Sequence, residues 1–466
     1  MRQHDLVVIG AGSGNSVIDD SFAGLDVAVV EERWFGGTCL NAGCIPSKMY
    51  AYAAQVARTV EEADRYDVDA RLRGLRWRAA RDRIFGRLDA EREEGRRGRL
   101  EADHITVYEG TARFTGPRQL RIDLPDGPVA ITGRQIVIAA GSRPLVPGPV
   151  TASGLPYETS DTVMRIATPP HRLAVLGGGY VAAELAEVFA EAGSSVVIIE
   201  KEDHLLGPQD EEVAARFTEL ARARHDLRLG REVTAVGGRP GELRLTLDDG
   251  STVRADLLLV AAGRLPGGDR LDLDAAGVAT HDDGRIVVDA CQRTTAEGVF
   301  ALGDVCTPVP LKHVANREAR VVAHNLRHPD APVTTGDAPV PAAVFTSPQI
   351  ASVGATERAC RDRGLDPLVG RARYADIAYG WAAEDTTGFC KVLAELAERG
   401  TGRLLGAHLM GPQAATLIQP LVLAMTLGID AATLARSPYW IHPAPTELIE
   451  KALLDLGDTG AARPGE

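Results

Sequence analysis

Two of the six cysteines stand close together in the stretch WFGGTCLNAGCIPSK, at residues 34–48. Cys39 and Cys44 could bind zinc, form a permanent disulfide, or act as a dithiol that is oxidised and reduced in turn. Zinc needs four ligands, and the sequence contains no second close pair of cysteines. We therefore expect no metal site here.

The spacing of the two cysteines favours a redox role. On a regular helix, residues five apart have Cα atoms about 8.7 Å apart, whereas a disulfide needs less than about 7 Å. A Cys39–Cys44 bond therefore requires an unwound turn, which Asn41 and Gly43 allow, and a strained bond is easily reduced. We expect both thiols at the start of a helix, where the helix dipole lowers their pKa, with Lys48 on the same face as Cys44.

The composition is that of an ordinary globular protein. With 466 residues, the chain is long enough for three or four packed units. No apolar run reaches the roughly 18 residues that cross a bilayer, and the N-terminus lacks a signal-peptide pattern, so we expect a cytoplasmic protein with no membrane partner. The formal charge is −13, and the arginines form no basic stripe, so nucleic acid is not an expected partner.

A nucleotide-binding pattern precedes the cysteine pair. The apolar strand DLVVI runs into GAGSGN, in which Gly10 permits a tight turn and Gly12 lets the backbone approach a pyrophosphate. A second strand, DVAVVE, ends at Glu31, about 20 residues later, where an acid can bind ribose hydroxyls. We expect a helix after the glycine turn, although Asn15 replaces the third glycine and Gly14 must allow the close packing.

The same pattern recurs later in the chain. LAVLGGGYVAAE presents Gly177 and Gly179, and the following strand ends at Glu200. Two dinucleotide sites in one chain indicate two dinucleotides, a flavin that stays bound and a nicotinamide that comes and goes. IVIAAGSRP, DLLLVAAGR and GVFALGDV are further strands that end in glycine, and the last places Asp304 where it can bind a polyol or phosphate.

Taken together, these motifs resemble the flavoprotein disulfide reductases, the group that contains glutathione reductase and dihydrolipoamide dehydrogenase. The resemblance covers essentially the whole chain, and GSGNS, TSDTVMRIA, LKHVAN, VPAAVFT and YWIHP are similar to the mycothione reductase subgroup. It implies an α/β fold with two Rossmann-like dinucleotide-binding domains, for FAD and NAD(P)H, and a C-terminal α+β dimerisation domain.

Domain boundaries follow from the resemblance. It implies an FAD-binding part at 1–147, with the dithiol and a helical excursion over 48–100, and an NAD(P)H-binding domain at 148–270. The central domain, which completes the FAD site, takes 271–339, and the interface domain of a homodimer takes 340–466. In such a dimer each active site is shared between the two chains.

The resemblance also implies the roles of the dithiol. Cys44 faces the flavin, and Cys39 attacks the substrate disulfide. Lys48 pairs with Glu184 near the reactive edge of the flavin.

The proton donor for the leaving thiol is then His442, which Glu447 orients and which arrives from the other subunit. The residues that the resemblance assigns to cofactor binding are Gly10, Gly12, Ser13, Gly14, Glu31, Gly37, Thr38, Lys48, Ala112, Ala140, Gly141, Gly177, Gly179, Tyr180, Val181, Glu184, Glu200, Lys201, Gly263, Asp304, Leu311 and His313.

The expected substrate is mycothione, the disulfide of mycothiol. Asp19 and Asp20 stand where glutathione reductase has an arginine; they would repel the carboxylates of glutathione disulfide and suit a hydroxyl-rich sugar thiol, or they are plain solvated residues. Lipoamide is the main alternative substrate. A diaphorase with a vestigial dithiol is a further alternative, and mercuric reductase is disfavoured because the C-terminus holds no cysteine pair.

The two signals for the nicotinamide conflict. Glu200 should accept ribose hydroxyls and repel a 2′-phosphate, which favours NADH. Lys201 can receive that phosphate, and the resemblance implies NADPH. We expect NADPH, with NADH also accepted.

Overall fold

The first glycine turn follows the central strand of a mainly parallel sheet in the computed structural model, which describes residues 1–397 and 400–457. The strand DLVVI is buried, and Val8 pairs in register with Val29 on one side and Val137 on the other. In spatial order the strands are Ile105–Glu109, Val27–Glu31, Arg2–Ile9, Gly127–Ile138, Gln119–Leu124 and Thr111–Gly116, with Val299–Ala301 also paired to Gly127–Ile138.

A second parallel sheet carries the second glycine turn. Its central strands are continuous apolar runs, as expected for a sheet covered on both faces. In spatial order they are Asp226–Leu229, Ser195–Glu200, Arg172–Leu176, Leu257–Val260 and Glu158–Thr159. An antiparallel meander lies beside it, with strands Val233–Arg239, Glu242–Leu247 and Thr252–Ala255. The chain crosses between the first two units on the paired strands Ser142–Pro144 and Arg264–Pro266.

The C-terminal part is an antiparallel sheet covered by helices. In spatial order its strands are Ala342–Val344, Ile350–Gly354, Gly400–Met410, Phe389–Ala397 and Leu368–Arg373. The predicted α/β class, with two Rossmann-like units and a C-terminal α+β unit, is confirmed. Residues 398–399 and 458–466 of the expected interface domain lie outside the described residues.

Helices connect and cover the three sheets. The α-helices are Gly37–Asn41, Cys44–Glu61, Trp77–Leu100, Gly148–Ala152, Tyr180–Glu191, Glu211–Arg222, Lys312–Arg327, Glu357–Asp362, Ala378–Ala382, Ala414–Leu417, Gln419–Leu427, Ala431–Arg436 and Glu447–Leu454. The 3₁₀ turns are Ser13–Val17, Asp20–Phe22, Ala63–Tyr66, Val163–Arg165, Gly267–Arg270, Leu273–Ala276, Gly303–Val305 and Tyr374–Asp376.

The expectation of a helix after the first glycine turn is wrong. Two short 3₁₀ turns, Ser13–Val17 and Asp20–Phe22, take its place. Asp19 is extended and caps the second turn, so the chain leaves helical geometry between the two. Arg99 donates to the carbonyl oxygen of Asn15 at 2.9 Å and to its side chain at 3.0 Å, so an arginine satisfies acceptors that a continuous helix would bond internally.

A buried lysine joins the second nucleotide-binding unit to the C-terminal sheet. The side chain of Lys391 is 2 % exposed, and its Nζ lies 2.8 Å from Asp210, 3.0 Å from Glu212 and 2.7 Å from Glu357. Asp210 also caps the helix Glu211–Arg222 and accepts the backbone N–H of Glu357. One ammonium therefore binds three carboxylates at the contact between the two units, and Arg371 supplies a second positive charge near Glu212 and Glu357.

We predict that Lys391→Met destabilises the protein by about 3 kcal/mol, because it leaves the buried Asp210 carboxylate without its cation. Equilibrium unfolding in urea of the purified holoenzyme measures this change. The matched control is Arg371→Met, which removes a partly exposed ion pair to Glu212 and should cost less than about 1 kcal/mol. Equal losses in the two variants would contradict the assigned role of Lys391.

Candidate active site

A cavity of about 1080 Å³ runs from the end of the strand Val27–Glu31, past the first glycine turn, to the cysteine pair and the start of the helix Tyr180–Glu191. Both cysteines line it. The predicted cofactor-binding residues that line it are Gly10, Gly12, Ser13, Glu31, Gly37, Thr38, Lys48, Ala112, Ala140, Gly141, Tyr180, Val181, Glu184, Asp304, Leu311 and His313.

Glycines shape the middle of this cavity. Gly10 has a φ of +103°, and a Cβ there would collide with the carbonyl oxygen of Ala139. A Cβ on Gly37 would lie 2.7 Å from the Cα of Gly12, so the glycine turn and the helix that carries Cys39 touch through backbone alone. Gly14 does not line the cavity but packs beneath it, where a Cβ would lie 2.8 Å from Val8. Gly14 therefore provides the close packing that Asn15 cannot.

Glu31 lies at the end of the cavity that the sequence assigns to ribose. Its carboxylate accepts the backbone N–H groups of Ala11 and Arg33, each at 2.7 Å, and of Trp34 at 3.1 Å. Burial raises the pKa of Glu31. The carboxylate thus ties the glycine turn to the chain that leads to the cysteine pair.

The cysteine pair lies on two helices instead of one. Cys39 belongs to the short helix Gly37–Asn41, and Cys44 begins the helix Cys44–Glu61. The backbone between them leaves helical geometry at Ala42, with φ −151° and ψ 11°. This is the unwound turn that the spacing of the two cysteines required, and both thiols are free.

The two thiols differ in acidity. The neighbouring Cys39 thiol, together with Lys48, lowers the pKa of Cys44 to about 7. The proximity of Cys44, together with burial, raises the pKa of Cys39. The expectation that the helix start lowers the pKa of both thiols is therefore wrong for Cys39, because the neighbouring sulfur and burial outweigh the effect of the helix start.

Lys48 and Glu184 meet as expected. Lys48 Nζ lies 2.5 Å from Glu184 Oε2, and the other carboxylate oxygen of Glu184 accepts the backbone N–H of Phe345 at 2.9 Å. The Lys48 ammonium also lies 4.8 Å from the ring centroid of Phe345. Glu184 is 6 % exposed, whereas the Lys48 side chain is 35 % exposed, so the carboxylate is shielded from solvent and held by a partner on each of its oxygens.

Asp304 takes part in a network that the sequence did not reveal. It accepts the Ser142 hydroxyl at 2.6 Å, and Arg264 donates to the same hydroxyl at 2.7 Å. The N–H of Gly303 donates to the buried carboxylate of Glu318 at 2.6 Å. These residues come from distant parts of the chain, so the sequence predicted only the strand ends beside them, which are marked by glycine and other small residues.

The second glycine turn is built like the first. The Glu200 carboxylate accepts the backbone N–H of Gly178, within the turn, and that of Glu202 at 2.9 Å. The side chain of Lys201 is 66 % exposed and lies 3.8 Å from Glu202. Gly177, Gly179, Glu200, Lys201 and Gly263 do not line the large cavity.

His442 and Glu447 form a pair outside the lining of the large cavity. His442 Nδ1 lies 2.8 Å from Glu447 Oε1, and the histidine hydrogen bond lowers the pKa of Glu447. The imidazole is 69 % exposed and does not line the large cavity. Exposed Tyr439 and Ile441 lie beside it in the sequence.

Asp19 and Asp20, which the sequence offers as substrate contacts, are exposed to solvent. Asp19 accepts the N–H and the hydroxyl of Ser21, Asp20 is exposed, and neither lines the cavity. Among residues 1–397 and 400–457, no three His, Cys, Asp or Glu side chains form a group that could hold a metal ion. No helix in the same ranges is long and apolar enough to cross a bilayer.

Comparison with known proteins decides the family. Residues 4–319 match the model of the pyridine nucleotide-disulphide oxidoreductases, and residues 340–453 match the dimerisation domain of the same family. The chain belongs to this family. It is thus an FAD-dependent NAD(P)H:disulfide oxidoreductase, and the two glycine turns correspond to the two dinucleotides that its members use.

Relatives cover almost the whole chain. Mycothione reductase from Mycobacterium tuberculosis is 49 % identical over 98 % of this chain and 100 % of its own length. Dihydrolipoyl dehydrogenase from Haloferax volcanii is 34 % identical over 95 % of this chain and 93 % of its own. Among solved structures, the HOCl-induced flavoprotein disulfide reductase RclA from Escherichia coli superimposes with a TM-score of 0.83 and 27 % identity, covering 96 % of this chain and 99 % of its own.

We predict that Glu184→Gln slows reduction of the enzyme by NAD(P)H by about tenfold or more, because the loss of its charge releases Lys48, and a shift of ~1 Å in an active-site group is costly. Stopped-flow absorbance of the flavin measures this step. Glu187→Gln is the matched control, since Glu187 lies one turn further on the same helix and accepts the N–H of Ser347. Similar slowing in both variants would contradict the role given to Glu184.

Proposed function

We propose that the protein is a mycothione reductase, which reduces the disulfide of mycothiol to two thiols with NADPH and also accepts NADH. The 49 % identity to a mycothione reductase, over essentially the full length of both chains, carries this proposal. The geometry supports it, since a dithiol with one acidic sulfur lies in a cavity next to two dinucleotide turns.

In the proposed reaction, bound FAD would supply the transfer of two electrons from NAD(P)H that opens the Cys39–Cys44 disulfide. The Cys39 sulfur then attacks one sulfur of the substrate, and the other substrate sulfur leaves as a thiol. A Cys39 thiol must lose its proton as it attacks, so it needs a base. The Cys44 thiolate finally attacks Cys39, which re-forms the intramolecular disulfide and releases the second product as a thiolate that takes a proton from solvent.

The base is His442 of a second copy of the chain. It receives the Cys39 proton and returns it to the departing thiolate, while Glu447 stabilises the imidazolium. In its own chain this histidine is exposed and does not line the cavity, and it lies in the dimerisation domain, which supports a site shared across a homodimer.

The proposed binding residues for FAD and for NAD(P)H are supported by different observations. FAD fits the large cavity, whose glycine turn and Glu31 would hold its ADP half, with Lys48, Glu184 and Asp304 nearer the other end. For NAD(P)H, the acceptor Glu200 and the exposed Lys201 support use of both nicotinamides. The same proposal includes the domain limits 1–147, 148–270, 271–339 and 340–466. It also includes a cytoplasmic location, where NADPH is present.

Lipoamide is the alternative substrate, because a dihydrolipoyl dehydrogenase is 34 % identical over most of the chain. We predict that NADPH oxidation is fastest with mycothione, slow with lipoamide and glutathione disulfide, and negligible without a disulfide. Cys39→Ser should abolish the disulfide-dependent rate. Turnover with lipoamide alone would identify a lipoamide dehydrogenase, and an unchanged rate in Cys39→Ser would identify a diaphorase.

A hybrid dimer tests the shared site. We predict that His442→Ala lowers turnover by about 10²-fold or more, since it removes the general acid. In a dimer of one Cys39→Ser chain and one His442→Ala chain, one site carries both defects and the other carries neither. Co-expressed, differently tagged chains should therefore recover about half of the normal activity, whereas an inactive hybrid would place both residues in the site of one chain.

A further inference from the structure

One cation in the large cavity has no role in the reaction described so far. Lys312 Nζ lies 2.9 Å from the hydroxyl of Ser13, in the first glycine turn. Among residues 1–397 and 400–457, no carboxylate lies within salt-bridge distance of it. A half-buried ammonium in a cavity, held by a neutral hydroxyl, is poised to balance a negative charge.

The fold fixes this ammonium close to the dithiol. Lys312 begins the long helix Lys312–Arg327, so its backbone is anchored. Ser13 follows Gly12, which touches the backbone of Gly37 at the start of the helix that carries Cys39. Lys312, Ser13 and both cysteines line the same cavity.

In the part of the chain that the structure describes, two other charged or titratable groups face the two thiols, and neither supplies an unpaired positive charge. Lys48, on the helix of Cys44, is already paired with Glu184 at 2.5 Å. Tyr180, on the second nucleotide-binding unit, interacts with Cys44 but is neutral near pH 7, since a tyrosine has an ordinary pKa of about 10 and burial raises it further. The positive charge of Lys312 interacts with both thiols and favours the thiolate form of each, although the pKa of Cys39 is raised overall. It is therefore the cation facing them whose charge no described carboxylate compensates.

We propose that Lys312, positioned by Ser13, is an electrostatic active-site residue that stabilises the thiolate of the reduced Cys39–Cys44 pair. This inference rests on the proposed function, because it takes the pair to be the redox dithiol. It implies that the glycine turn which cradles one dinucleotide also sets the acidity of the dithiol, through a single hydrogen bond.

The test compares Lys312→Met with Lys312→Arg in the holoenzyme. After reduction by NADPH, the chain is labelled with iodoacetamide across a pH series, and the label on Cys39 and Cys44 is followed by peptide mass spectrometry. A thiol reacts as its thiolate, so Lys312→Met should move the midpoint of labelling to higher pH and slow labelling at pH 7 by about three- to tenfold. Lys312→Arg should keep the original midpoint.

Two further variants control for a general loss of structure. Ser13→Ala removes the tether but not the charge and should give a smaller shift in the same direction. Arg33→Met removes another cation of the cavity, one that is paired with Asp161 at 2.8 Å, and should leave the midpoint in place.

Three outcomes would overturn the proposal: an unchanged midpoint in Lys312→Met, a shift of equal size in Arg33→Met, or flavin loss from Lys312→Met with an unchanged midpoint in the protein that retains flavin. The last result would assign the ammonium to the phosphates of the cofactor. Failure of the proposed function is distinguishable, because then NADPH would generate no new labelled thiols in the unsubstituted enzyme.

Discussion

The carboxylate of Glu184 joins the three units of this protein at one point. One oxygen binds Lys48 on the helix that carries Cys44, and the other binds the backbone of Phe345, where the C-terminal unit begins. A buried carboxylate needs both partners, because an unpaired charge in such a place is strongly destabilising. The interaction therefore fixes the dithiol helix against the second nucleotide-binding unit, and the geometry of the active site depends on it.

The fixed position of this helix underlies the different roles of the two cysteines. The break in the helix at Ala42 lets Cys39 and Cys44 approach each other, and the pKa of Cys44 is lowered while that of Cys39 is raised. An acidic Cys44 is suited to closing the disulfide. A protonated Cys39 needs a base to attack a substrate, and the proposed base, His442, is exposed on the dimerisation domain and does not line the large cavity of its own chain.

Much of this arrangement could be predicted from the sequence, because glycine turns after apolar strands and a close cysteine pair have few other uses. The pairing of Lys48 with Glu184 was predicted from a family resemblance and is observed. The helix after the first glycine turn was not correctly predicted, because the interruption at Asp19 depends on a cap and on Arg99 from a distant helix. The raised pKa of Cys39 and the place of Lys312 likewise depend on contacts between distant segments, which no local pattern encodes.

The central claim is that Cys39 exchanges disulfides with mycothiol while Cys44 resolves the product. The most direct measurement is peptide mass spectrometry of a Cys44→Ser enzyme that has been incubated with mycothione. Samples treated with NADPH serve as reduction controls. We predict one mycothiol joined to Cys39 by a disulfide and released by dithiothreitol. An enzyme without this adduct, or with the adduct on a cysteine other than Cys39, would contradict the proposed roles of the two cysteines.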